Sequence, residues 1–158
     1  MGFLNAILDL IFPPSRYGIR STTKRGVQVR SRAEQKIADY FDNIGLRYEY
    51  ERELVARFWI FSQRIGRPDF YLPDYDVYVE FWGMLEVEDD DDRRKYERSM
   101  RYKMERYQRH GIKVISLYPR DLPNLDGVFR ERFKEVTGKT LTKSTGLTTK
   151  DTKYAKGN

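Results

Sequence analysis

The chain contains no cysteine, so a disulfide framework and a thiolate metal site are both excluded. Histidine is almost as scarce. His110 is the single copy in 158 residues, which argues against a His-rich zinc centre. No apolar run approaches the roughly 20 residues that a membrane-spanning helix needs. No Gly-x-x-x-x-Gly-Lys-Ser/Thr phosphate loop occurs, so an ATPase motor of that kind is excluded. No internal repeat is visible. The apolar stretch Gly2 to Phe12 lacks a basic leader and a small-residue cleavage site, so it does not read as a secretory signal. It reads as a short helix docked on the domain, with a partner-binding or membrane-surface helix as the alternative, and Pro13 and Pro14 end it. A cytoplasmic location without a membrane partner is the expectation.

Charge and aromatic rings are abundant. Charged residues make up 34% and aromatics 15%, so the core is expected to be built from large rings with polar tips. The length suits one domain. The net charge of +6 is uneven: residues 139–158 hold five lysines and one aspartate, leaving about +2 for residues 1–138. A second basic block comprises Arg16, Arg20, Lys24, Arg25, Arg30 and Arg32, with no acid between Asp9 and Glu34. Such a block suits a polyanion, although a solvated positive surface has the same composition.

Four segments follow from the pattern: an apolar helix over 1–12, a basic linker over 13–30, a folded domain over 31–137 and a disordered basic tail over 138–158. Within the domain, Ser31 and Glu34 have the spacing of a capping box. Ala33, Ile37, Tyr40, Phe41 and Ile44 recur at helical spacing, and Gly45 stops the helix. Glu34 therefore has a structural role as a cap. It also falls about 60° from the centre of the apolar stripe, which leaves a place beside the site as the second reading. Leu46 to Val55 reads as a strand, and Arg57 to Ile65 as a further strand or extended loop. A helix is predicted over Arg93 to Arg109, a buried strand over Ile112 to Leu117 and a last helix over Leu125 to Val136. The acids Glu86 and Glu88 to Asp92 suit a solvated helix start better than a metal site.

The chemistry is concentrated between Arg67 and Gly83. Asp69 follows Pro68 and opens the apolar run Phe70, Tyr71, Leu72; Glu80 closes the run Val77, Tyr78, Val79. Pro73, Asp74 and Asp76 supply the turn of a β-hairpin. Two carboxylates on adjacent strands suit one hard cation, because Mg²⁺ takes oxygen ligands, commonly one or two protein carboxylates. On the downstream helix, Tyr96, Met100, Met104 and Tyr107 form the apolar face. Lys103 lies in its middle, about 20° from Tyr96 at 100° per residue. A lysine aimed inward needs a partner, and the acid pair is the nearest explanation. A lysine that snorkels to water is the plainer one.

This order of elements, with Pro68-Asp69 followed by Glu80, resembles the PD-(D/E)XK nuclease superfamily over roughly Ser31 to Pro119. The stretch Arg67 to Gly83 looks like the nuclease-like segment of some helicase IV-type proteins. That segment also has a Tyr, a Met and a Lys spaced like Tyr96, Met100 and Lys103, and a Tyr-Glu-Tyr-Glu strand like Tyr48 to Glu51. The resemblance implies an α/β, restriction-endonuclease-like αβββαβ core with a mixed central sheet flanked by helices. It also implies a Mg²⁺- (or Mn²⁺-) dependent nuclease acting on nucleic acid, DNA in the first instance, with no small-molecule cofactor. Asp69 and Glu80 would hold the metal, which polarises the phosphate and activates water, while Lys103 assists the attacking water. The superfamily lysine commonly sits two residues after the Glu, where this chain has Trp82; Lys103 matches branches in which it has moved to the next helix. Lys24, Arg25, Arg30, Arg32 and Arg67 would hold the nucleic-acid backbone. Relatives that cut both strands often act as dimers, so a homodimer is one arrangement the resemblance offers. The alternative function is a catalytically inactive nucleic-acid-binding module of the same fold.

Overall fold

The computed structural model describes residues 20–58, 61–83 and 90–141. A short hairpin (β1, Ser21–Thr22; β2, Gln28–Val29) leads into helix α1 (Arg32–Asn43). Strand β3 (Glu49–Tyr50) follows, then a hairpin of β4 (Leu54–Phe58) and β5 (Phe61–Gly66), then β6 (Phe70–Leu72) and β7 (Val77–Phe81). Helix α2 (Asp90–Arg109), strand β8 (Val114–Leu117), a 3-10 segment (Pro119–Asn124) and helix α3 (Leu125–Thr137) come last.

The local signals act as their chemistry requires. Ser31 is extended and its hydroxyl accepts the Glu34 N–H at 3.1 Å, which starts α1. Gly45 adopts φ +70 just beyond the helix, a left-handed value that favours glycine. Asp90, Asp91 and Asp92 occupy the first turn of α2, where the positive end of the helix dipole favours them.

The fold is mixed α/β, with a four-stranded mixed sheet in the order β3-β6-β7-β8. Strands β3, β6 and β7 pair antiparallel, and β8 is parallel to β7. Parallel neighbours need a crossover, and α2 provides it. Side-chain alternation then separates two cores. Phe70, Leu72, Val77 and Val79 meet Ile37, Ala38 and Phe41 of α1 and Leu125, Phe129 and Phe133 of α3 on one face. Tyr71 and Tyr78 meet Leu54, Ile65 and Tyr107 on the other. Phe41 is the hub of the first core, with ring centroids 5.0 Å from Phe129, 5.4 Å from Phe70 and 5.7 Å from Tyr48.

Several expectations shift. The segment over 13–30 was expected to be a linker; its described part, from residue 20, carries the β1–β2 hairpin and buries Thr23 and Val29. The strand expected over 46–55 divides, because Glu51 takes a left-handed φ of +50 and ends β3. Arg57 to Ile65 divides between β4 and β5, which pair with each other. On α2, Tyr107 alone of the four apolar-face residues is fully buried; Tyr96, Met100 and Met104 are half-buried. The disordered tail expected over 138–158 is ordered as far as Leu141, which is buried in the core and accepts from Arg130 at 2.8 Å through its carbonyl; the expected N-terminal helix, the acids 86–89 and the residues from 142 lie outside the described residues. Among the described residues, no helix is long and apolar enough to cross a membrane.

Phe41→Ala removes the ring at this hub and is expected to cost about 3–5 kcal/mol. Urea unfolding followed by circular dichroism measures it; a loss below about 1 kcal/mol would mean the aromatic cluster is not what closes this face.

Candidate functional site

Strand register brings the two acids together. Phe70 pairs with Val79 across β6 and β7, and the same antiparallel register carried one step further sets Asp69 opposite Glu80. Directly opposed residues share a face, with Cβ atoms roughly 4.5–5.5 Å apart. Alternation puts that face with Tyr71 and Tyr78, the side on which Tyr107 of α2 packs. Glu80 is 3% exposed and Asp69 is half-buried. The Asp69 carboxylate accepts the Phe81 N–H at 2.7 Å. The Asp69 N–H in turn is directed at the Glu80 carboxylate.

Helix α2 supplies the cation. The Lys103 ammonium donates to Glu80 Oε1 and forms an ion pair with it, and it stands 5.5 Å from the centre of the Trp82 ring. Trp82 follows β7, donates its backbone N–H to Leu117 at 2.8 Å and is 3% exposed. Its indole thus walls the lysine rather than replacing it. One turn along α2, the Tyr107 hydroxyl approaches Glu80 Oε2 at 3.4 Å. Gly66 makes room for this ring: a Cβ there would stand 3.1 Å from the Tyr107 oxygen.

Electrostatics mark the pair. Burial, then the charge of Glu80, holds the Asp69 carboxyl well above its usual range, while Lys103 acts in the opposite direction. Burial raises Glu80 as well, offset first by Lys103. Burial and the neighbouring carboxylates push the Tyr107 hydroxyl up.

Glu34 serves both readings. It accepts from the Ser31 hydroxyl at 2.9 Å and from the Arg30 N–H at 3.0 Å, which completes the cap. It also accepts from the Tyr50 hydroxyl, and its charge adds to the upward push on Asp69. The basic residues separate into groups. Arg30 and Arg67 converge on Glu51, at 2.8 and 3.7 Å. Glu51 donates its N–H to the Asp69 carbonyl at 2.9 Å, so this group adjoins the acid pair. Lys24 and Arg25 instead bond Asp39, Asn43 and Asp42, at the far end of α1 from Glu34. Arg32 is exposed on the first turn of α1. The sequence placed Tyr107 on an apolar helix face and Tyr50 and Glu51 in a strand, with no role in the site for any of them. A tyrosine rather than a phenylalanine on a buried helix face, four residues after Lys103, was the available signal for Tyr107.

The donor set fits a hard divalent cation: two mutually repelling carboxylates, Glu80 buried and Asp69 half-buried, with neither sulfur nor imidazole among them. Among the described residues, no third Asp, Glu or His joins them as a ligand group. Comparison with family models, curated proteins and solved structures returns no match for this chain.

Because the folded chain raises both carboxyl pKa values, it binds protons more tightly than the unfolded chain does. These groups therefore favour folding below the ordinary carboxyl range near pH 4, and the benefit is lost as pH rises through their folded values. Asp69→Asn keeps an acceptor for the Phe81 N–H and removes one charge. In EDTA at pH 8 this variant is expected to melt a few degrees higher than the native chain, with a flatter decline from acid to neutral pH. Thermal melts across pH measure this, and a lower melting temperature for the variant at pH 8 would contradict the charge argument.

Proposed function

We propose that this chain is a divalent-metal-dependent nuclease acting on DNA, with the restriction-endonuclease-like αβββαβ core. The observation that carries the reading is the meeting of Asp69, Glu80 and Lys103, contributed by two strands and the crossover helix. The antiparallel β3-β6-β7 order, followed by a helix and a parallel β8, agrees with that core.

Asp69 and Glu80 would hold Mg²⁺ or Mn²⁺. When bound, the cation polarises a phosphate oxygen and makes water a stronger nucleophile. The remaining work belongs to the chain. Lys103 keeps a positive charge at the carboxylate pair, where it orients the attacking water and stabilises charge that develops on the phosphate. The Trp82 ring lies beside that ammonium, its centre 5.5 Å away. Tyr107 fixes the second oxygen of Glu80. The phosphate backbone is held by cationic side chains on the surface, a sequence-independent contact.

A binding module that does not cleave is the second reading. It is favoured by the two-carboxylate donor set and by Trp82 at the position two residues after Glu80.

Purified protein is expected to nick plasmid or branched DNA with Mg²⁺ or Mn²⁺ and to be silent in EDTA. Asp69→Ala and Glu80→Ala should abolish cleavage, and Lys103→Ala should lower its rate about 10²–10³-fold, the loss typical of one charge-stabilising donor. Cleavage that persists in EDTA, or equally in all three variants, removes the nuclease reading; DNA binding with no cleavage under any metal selects the second.

A further inference from the structure

Glu51 is one of two described non-glycine residues with a left-handed backbone, at φ +50. A bulky residue holds that conformation only where its surroundings impose it, and such residues gather at functional sites. Here the surroundings are specific. The Glu51 N–H is fixed by the carbonyl of Asp69, and its carboxylate, 17% exposed, forms ion pairs with Arg30 at 2.8 Å and Arg67 at 3.7 Å. Arg30 is anchored through its backbone N–H, which donates to Glu34 and to the Tyr50 hydroxyl, both at 3.0 Å. Arg67 precedes Asp69 by two residues.

One acid therefore gathers two guanidinium groups from positions 37 residues apart in the sequence, directly beside the entry to β6. The group keeps a net charge of +1. Each arginine side chain remains 38% exposed. A guanidinium carries five N–H donors in a planar fork that matches phosphate oxygens. Arg25 contrasts with this arrangement: among the described residues it pairs with Asp42, at 3.0 Å, one acid to one arginine.

We infer that Arg30, Glu51 and Arg67 form a phosphate clamp that grips a backbone phosphodiester next to the carboxylate pair. Glu51 is the positioning residue. It orders both arginines before the polyanion arrives, so less side-chain freedom is lost on binding. The identity of the polyanion as nucleic acid rests on the nuclease reading; the clamp geometry does not.

The test uses the full chain and a fluorescent DNA duplex, in EDTA to prevent cleavage, with affinity measured by anisotropy across a salt series. The double variant Arg30→Ala with Arg67→Ala is expected to bind at least tenfold more weakly. Its log–log salt slope should be shallower by about 1–2, since each phosphate contact contributes about 0.9. Glu51→Gly suits the backbone angle and removes the carboxylate. It should melt within a few degrees of the native chain and bind severalfold more weakly; Glu51→Asn, which also tolerates this angle, serves if the glycine variant does not fold. Equal or tighter binding by the Glu51 variants, an unchanged slope in the double variant, or no binding by the native chain overturns the clamp. Loss of binding in these variants with no metal-dependent cleavage by the native chain overturns the nuclease reading alone.

Discussion

Two carboxylates face each other across the β6–β7 ladder, in a place that water largely does not reach. At roughly 5 Å and an effective dielectric constant of about 20, two such charges repel by on the order of 3 kcal/mol. Lys103 answers one of them directly, through Glu80. Once both acids are ionised, one ammonium still leaves the cluster negative, and Glu34 adds to the potential at Asp69. A buried site that remains negative after its own lysine has been used favours a further cation. That imbalance links the fold to the chemistry proposed for it.

The rest of the structure keeps the imbalance in place. Antiparallel register makes Asp69 and Glu80 neighbours, and alternation directs them to the face that α2 covers. The opposite face is packed with Phe41, Phe129 and Phe133, which holds α1 and α3 side by side on that face. The crossover to the parallel strand β8 carries α2 over the acids, where Lys103 and Tyr107 reach Glu80. Tyr107 locks that helix through both packing and its hydroxyl, and Gly66 is small because the ring passes so close. Moving any of these would carry the ammonium away from Glu80.

Much of this was legible in the sequence, for identifiable reasons. The Asp69–Glu80 hairpin was visible because two short apolar runs flank turn residues. Lys103 stood out because helical periodicity makes a charge on an apolar face conspicuous. The Ser31–Glu34 cap and Gly45 are local signals that act within a single turn. What escaped depended on distant contacts. Glu51 breaks β3 through a backbone angle that nothing in Tyr48-Glu49-Tyr50-Glu51 announces. The β1–β2 hairpin has strands of two residues, too short for alternation to show. Tyr50 and Tyr107 looked like core rings, since composition does not reveal where a hydroxyl points.

The basic residues show how the same side chain takes different roles by its partner. Arg132 is matched to Asp121 and to the Ser116 carbonyl, which ties α3 to β8 beneath the sheet. Arg25 is matched to Asp42 and pins the β1–β2 turn to α1. In both cases each charge has one opposite partner, and the pair joins two elements. Arg30 and Arg67 share a single acid and stay partly exposed, while the carboxylates next to them are in excess. Negative charge surplus to its lysine and positive charge surplus to its glutamate thus adjoin each other, joined by the Glu51 N–H on the Asp69 carbonyl. In the proposed reading, a phosphodiester with a bound cation would complement both: the metal would meet the acids and the phosphate oxygens the arginines.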